Sequence, residues 1–429
     1  MPVGDANRAV DVARAVAIAH EQEWAFVLAA AARVSGDLDV AEDCAQDAYL
    51  QALAHWSTNG IPRSPGAWLT TVATRRALEV RRRAATLARK FPLLVPELIA
   101  ASEDRPVGDQ VFPDDRLRLV FACCHPAIAK EAQMALTLRL VCGLSSAEVA
   151  RAFLVKEATM QARITRAKRK IAEARIPYRV PREEELPERV GVVLDVIHLV
   201  YSAGHTASFG DTLVRGDLAA RGLDLARMLH TLLPGNGEVT GLLGLLCLTE
   251  ARRPSRVGPG GDLTLLRDQD RCAWDREAIE EGLSLVGLAL SHPPAGRYAL
   301  MAAIAAVHAE APRWEDTDWH QLVGLYDLLL LRWPSPVVAL NRAVAVSFAD
   351  GPEVALAAIQ EIGNEPFLVA YPYLAATRAD LLRRLNRIDD AIEAYEAALR
   401  LTENRIEGEF LARRIRELSD RETTGRGDP

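Results

Sequence analysis

The stretch Gly143 to Arg169, GLSSAEVARAFLVKEATMQARITRAKR, gathers the residue types best placed to do chemistry in this chain. Ser145 can cap a helix, and Glu148 completes a capping box three residues on. Val149, Ala150 and Phe153 give a short first helix an apolar face, and Leu154-Val155 reads as a turn. A second helix starts at Lys156, in which Met160, Ile164, Ala167 and Ile171 recur at helical spacing and should point inward. Its other faces present Lys156, Glu157, Thr159, Gln161, Arg163, Arg166 and Arg169. A helix-turn-helix of this kind places the start of its second helix in the major groove, while later cations meet phosphates. Arg163 or Lys156 suits guanine edges, and Glu157 suits the cytosine amino group. A plain pair of helices is the alternative reading of the pattern.

Charge supports the nucleic-acid reading. Up to Pro177 there are 24 basic against 20 acidic residues, a net of +4, whereas the remainder has 27 against 38, a net of −11. Seven basic residues and one acid lie between Arg75 and Lys90, and eight with two acids between Arg151 and Arg175. Basic clusters on helices are the electrostatic footprint of phosphate binding, although a single cluster is more simply a solvated face.

Other chemistry finds little support. Cys123, Cys124, His125 and Cys142 lack the CxxC spacing of a zinc cage. There is no HExxH, GxSxG or GxxxxGK[ST] pattern. Asp268, Asp270 and Asp275 around Trp274 read as caps or ion-pair partners before they read as acid/base pairs. No enzyme activity, metal or cofactor is therefore expected. No run approaches the roughly 18 apolar residues of a membrane helix, the start of the chain lacks the pattern of a secretory signal, and six cysteines make no disulfide framework. A cytoplasmic, reduced protein is the expectation.

The elements that must position these residues read as all-α. Arg8 to Ser35, Asp37 to Trp56 and Gly66 to about Ala88 form three helices, with Ser57 to Pro65 as a loop. Phe91 to Pro113 is proline-rich and acidic, a linker by composition, and helices resume from Asp115 to Arg175. Pro177, Pro181 and Pro187 flank a charged joint, the best domain boundary in the sequence. Beyond it the chain is helical to about Leu418, interrupted between Pro254 and Asp270. Ala339, Arg342, Ala343, Ala355 and Ala358 recur 36 residues later as Ala375, Arg378, Ala379, Ala391 and Ala394. Small residues at such positions let antiparallel helices pack closely, as in tetratricopeptide-type units.

The order of these motifs resembles the sigma factors of the extracytoplasmic-function group, over about Arg8 to Arg175. The stretch from Asp39 to Leu53, DVAEDCAQDAYLQAL, is similar to the region 2 helix that docks on RNA polymerase. The stretch from Gly66 to Arg83, GAWLTTVATRRALEVRRR, is similar to the helix that recognises and opens the −10 promoter element. The helix-turn-helix then corresponds to region 4, which reads the −35 element. Phe121 to Pro126, Asp268 to Asp275, Ser335 to Ala345 and Arg378 to Leu385 resemble a subgroup with a tetratricopeptide-like C-terminal extension. One departure is Val200 to His205, which stands where that subgroup has a Phe-Asn-Glu-Gly-Tyr loop.

The resemblance implies region 2 over residues 1–90, an acidic linker over 91–114 lying in the polymerase's RNA path, region 4 over 115–177, and the extension over 185–420. Asp39, Glu42, Asp43 and Gln46 share one helical face and are the candidates for meeting core RNA polymerase. Asn59, Arg63, Trp68, Thr71, Arg75 and Arg76 are the candidates at the −10 element, Trp68 being more readily a core anchor than a base platform. The implied partners are core RNA polymerase and promoter DNA, with a protein or intramolecular partner for the extension and no membrane. Two other readings compete: a helix-turn-helix regulator with a ligand- or protein-sensing helical domain, and a tetratricopeptide-type adaptor whose basic part binds RNA or protein.

Overall fold

The structure, a computed structural model, describes residues 3–90, 115–153, 155–176, 178–182, 184–206, 209–210, 213–258 and 260–425. The proposed linker at 91–114 and the turn residue Leu154 lie outside the described residues. The all-α expectation holds, apart from a two-residue parallel pairing of Phe209–Gly210 with Glu403–Asn404. The chain forms two compact units, residues 1–199 and 200–429.

In the first unit, α1 (Val3–Ser35), α2 (Leu38–Asn59) and α3 (Pro65–Lys90) pack on one another. Alanines make the close approach possible. Ala41, Ala45, Ala48, Ala52 and Trp56 of α2 are fully buried, as are Leu69, Ala73 and Ala77 of α3. Their spacing of three or four keeps them on one side of each helix. Gly36 (φ 74°) ends α1 in the left-handed region, and the Asp37 carboxylate then accepts from the backbone N–H groups of Asp39 and Val40 at 2.8 and 3.0 Å. The expected loop at Ser57 to Pro65 is shorter than read from composition. Ser57 and Thr58 bond back to the Ala54 carbonyl, so α2 runs on to Asn59 before Gly60 turns the chain at φ 84°.

From residue 115 onward come α4 (Asp115–Cys123), α5 (Lys130–Leu136) with a π-turn at Thr137–Val141, α6 (Ser146–Ala152), α7 (Glu157–Glu173) and α8 (Leu186–His205). The proline-flanked joint between α7 and α8 is docked on this unit. Ile176, Val180 and Pro181 are buried, and the Tyr178 hydroxyl donates to the carbonyls of Ala29 and Asp115 at 3.1 and 3.2 Å. The start of α8 is also anchored there, by Lys130 on Asp195 at 2.9 Å and by Arg189 on the Phe121 carbonyl. Division into units accordingly falls after Leu199, inside α8. Val200 to His205 is the last turn of that helix and not a loop.

The second unit continues through α9 (Gly216–Leu232), α10 (Gly237–Glu250), α11 (Arg276–Leu290), α12 (Arg297–Glu310) and α13 (Trp319–Arg332). Buried along Val239 to Leu248 without interruption, α10 is its central helix. A side chain at Gly241 would put its Cβ 2.5 Å from the Ala299 nitrogen, so only glycine allows α10 to lie this close to α12. Then follow α14 (Pro336–Ala349), α15 (Pro352–Ile362), the short α16 (Pro366–Val369), α17 (Pro372–Arg384), α18 (Ile388–Leu401) and α19 (Arg405–Gly425). The 36-residue recurrence places Ala343 with Ala379, and Ala355 with Ala391, at equivalent buried positions of two helix pairs sharing one core.

Candidate promoter and polymerase surfaces

The helix-turn-helix is built as its residues dictate. The Ser145 backbone N–H donates to Glu148 Oε2 at 2.8 Å, and the Glu148 N–H returns to Ser145 Oγ at 3.2 Å, closing the capping box. Met160, Ile164, Ala167 and Ile171 are all buried. Of the seven −35 candidates, Lys156, Glu157, Thr159, Gln161, Arg166 and Arg169 are exposed, and Arg163 is half-buried with its guanidinium 6.0 Å above the Phe153 ring. Gln161 donates to Glu157 at 3.0 Å, and Arg169 pairs with Glu173 at 3.4 Å. Both contacts lie in water and hold their partners weakly. Among the described residues Lys156, Arg163, Arg166 and Lys170 form no ion pair, so the helix presents uncompensated positive charge.

Loop and helix start together position the −10 candidates. Asn59, Arg63, Thr71 and Arg75 are exposed. The Thr71 hydroxyl is engaged with the Ala67 carbonyl at 2.8 Å. Trp68 is half-buried, its ring edge-on to the buried Trp56 (5.6 Å) and 5.4 Å from His55, the setting of a packing residue with one accessible side. Arg76 is held by Asp47 and Glu79, each at 3.2 Å, and so is less free than Arg75 to meet phosphate.

The four polymerase candidates lie along one face of α2, but they are not equivalent. Asp39, Asp43 and Gln46 are exposed, whereas Glu42 is 7% exposed. Its carboxylate faces Lys168 of α7 and, at 3.0 Å, Arg139 of the π-turn; Lys168 also reaches Asp39 at 2.8 Å. Burial alone would lower the Lys168 pKa, yet the facing carboxylates of Glu42 and Asp39 outweigh it and raise it. Lys168 and Arg139 were missed as positioning residues. A signal for Lys168 existed: it stands four residues after Ile164 and three before Ile171, beside the inward stripe. Nothing local pointed to Glu42, more than a hundred residues away.

The aspartates around Trp274 serve as caps or lie beside a neighbouring cation. Asp270 accepts from the Cys272 N–H at 2.9 Å, Asp275 caps α11 through the Ala278 N–H at 3.1 Å, and Asp268 lies 3.6 Å from Arg267. Cys123, Cys124 and Cys142 are buried, and burial pushes the Cys124 thiol up to about 12. Among the described residues no helix is long and apolar enough to cross a membrane.

Residues 21–86 match the sigma-70 region 2 family, and residues 118–171 match the sigma-70 region 4 family. Residues 189–290 match a family of unknown function, DUF6596. An uncharacterised protein of Rhizobium meliloti (strain 1021) is 40% identical over 389 residues, 89% of this chain and 91% of that protein. No solved structure matches the chain.

Proposed function

Because the chain belongs to the sigma-70 factors of the extracytoplasmic-function type, with a helical C-terminal extension, we propose that it binds core RNA polymerase and directs promoter-specific initiation. The observation that carries this reading is α7, whose apolar stripe is buried while its candidate DNA-facing residues, all but the half-buried Arg163, stay exposed with uncompensated cations. In this reading residues 1–90 bind polymerase and the −10 element, 91–114 form the linker, 115–177 bind the −35 element, and 185–420 regulate. Lys156, Glu157, Thr159, Gln161 and Arg163 read bases, and Arg166 and Arg169 meet phosphates. Asn59, Arg63, Thr71, Arg75 and Arg76 hold the opened −10 strand, with Trp68 as their packing anchor. Asp39, Asp43 and Gln46 supply the polymerase face, joined by Glu42 when Lys168 lets it go. The work of such a protein is transcription rather than catalysis, and its place is the cytoplasm.

Run-off transcription tests this directly. Purified core polymerase should initiate at a specific promoter only when the chain is added. Duplex binding without initiation would favour the second reading, a helix-turn-helix regulator, to which the engagement of Glu42 by Lys168 lends support. The role of the extension is tested by ending the chain after His205 rather than at the proline joint, because the start of α8 is anchored on the first unit. Unchanged strength and regulation of initiation would rule out control by the extension.

A further inference from the structure

The second unit holds a set of arginines without matching carboxylates. Its centre is the Asp268 to Asp275 stretch, which the promoter surfaces do not use. Besides capping α11, Asp275 donates its N–H to the Ala251 carbonyl at 3.0 Å, which ties this stretch to the turn after α10. Arg271, 7% exposed, donates through Nη1 to the carbonyls of His308 and Ala311 at 2.8 and 2.5 Å, while its Nη2 is buried with no partner. Its guanidinium lies 4.9 Å above the Trp274 ring, and that of Arg252 lies 6.0 Å from the same ring. Among the described residues the Arg252 side chain makes no hydrogen bond and no ion pair; only its backbone is bonded, to Thr249 and Ser255. Arg256 places Nη1 2.5 and 2.7 Å from the two ring nitrogens of His205, of which only the unprotonated one of a neutral imidazole can accept from it.

Three of the nearby acids are engaged by other partners, while the exposed Glu315 acts on Arg271 only through space. Glu250 is held by Arg253 at 2.6 Å and by the Tyr201 hydroxyl at 3.2 Å, Glu407 by the Tyr373 hydroxyl at 2.8 Å, and Asp316 by Arg313 at 2.9 Å. The electrostatic outcome is a surplus of positive charge at Arg252, on which no carboxylate of the described residues acts. Burial, then repulsion by Arg256, lowers Arg252 to about 10. His205 is lowered to about 3 by burial and then by Arg256 and Arg252; His308 is lowered to about 4 by burial and then by Arg252 and Arg271. Desolvated charges in folded proteins are normally paired, since an isolated one is costly.

We propose that Arg252, flanked by Arg256 and Arg271, binds a small multivalent oxyanion bearing phosphate or carboxylate groups. A guanidinium fork matches the planar edge of such groups with two parallel hydrogen bonds. The ligand is small because Arg271 is too buried for the surface of a folded partner to reach. His205 and His308 stay neutral beside it, as acceptors or as donors of one ring N–H. The site gives the extension a chemical input that does not depend on the promoter reading.

The test uses the full chain at constant ionic strength, with pyrophosphate and citrate as probes and chloride as control, by thermal unfolding and calorimetric titration. At a hundredfold excess over Kd, the matching probe should raise the second unit's unfolding midpoint by roughly 5 °C, and chloride should not. Response to pyrophosphate alone assigns a phosphate ligand, and response to citrate alone a carboxylate ligand. Arg252→Gln should raise the midpoint of the anion-free protein, by removing repulsion, and weaken the probe roughly tenfold or more. Arg252→Lys, which keeps the charge and loses the fork, should retain part of the response and serves if the glutamine variant does not fold. Indifference of the wild-type protein to both probes would overturn the proposal. So would an Arg252→Gln variant that is less stable without anion and responds to the probes as the wild type does.

Discussion

Replacing Lys168 by methionine should loosen α7 from α2 while leaving each helix intact. The side chains of Lys168 and Glu42 are 10% and 9% exposed, so their contact belongs to the buried class, in which removal of one partner costs about 3–5 kcal/mol. Two features reduce that figure. Glu42 keeps Arg139 at 3.0 Å, and the arm to Asp39, 71% exposed, is worth under about 1 kcal/mol. A cost of about 1–3 kcal/mol remains, which corresponds to roughly 5- to 150-fold more frequent opening. Hydrogen exchange of the α7 amides in the full chain reads this ratio, and the α9 and α10 amides serve as internal controls. Glu42→Gln should act in the same direction, and the double variant should cost about 1–2 kcal/mol less than the two together. Unchanged exchange, or additivity within about 0.5 kcal/mol, would refute the pairing. The same substitution uncovers Glu42, so core polymerase should bind more tightly, by no more than the opening ratio. Weaker binding would show that Lys168 itself touches polymerase and would refute the masking argument.

Arg166→Ala should weaken duplex binding similarly across sequences and reduce the salt-dependence slope by about 1, measured by fluorescence anisotropy over a salt series; a changed base preference would contradict its assignment to phosphate. Ser145→Ala removes one half of the capping box and should cost about 1 kcal/mol, read as a lowered unfolding midpoint of the first unit. Acid should destabilise the second unit. His205 and His308, depressed to about 3 and about 4 in the fold, take up protons in the unfolded chain below about pH 6.5, so stability falls as pH drops from 7 to 5, by about 2–4 kcal/mol in all. An unfolding midpoint that is flat over that range would show that these imidazoles are not held neutral.

Much of this molecule could be read from the order of its residues. The inward set Met160, Ile164, Ala167 and Ile171 and the Ser145–Glu148 box are local patterns, decided within a few turns of helix. Periodicity likewise located the paired helices around Ala343 and Ala379, because a helix face records its own burial. What could not be read comes from distant positions brought together. Glu42 looked like one of three similar acids beside Gln46, and only the arrival of Lys168 and Arg139 separates it from Asp43 and Gln46. The arginines around Trp274 look like ordinary surface charges in sequence. Their isolation depends on which acids other partners have engaged, a property of the whole unit.

The alanine ladder of α2 has a further consequence. With methyl groups as the only spacers at Ala41, Ala45, Ala48 and Ala52, the helix is seated nearly backbone to backbone on its neighbours and cannot roll without steric collision. Asp39, Asp43 and Gln46 therefore ride on a rigid rail, their spacing fixed before any partner arrives. A docking protein meets a surface already organised, and little of the binding free energy is consumed in ordering the backbone beneath it.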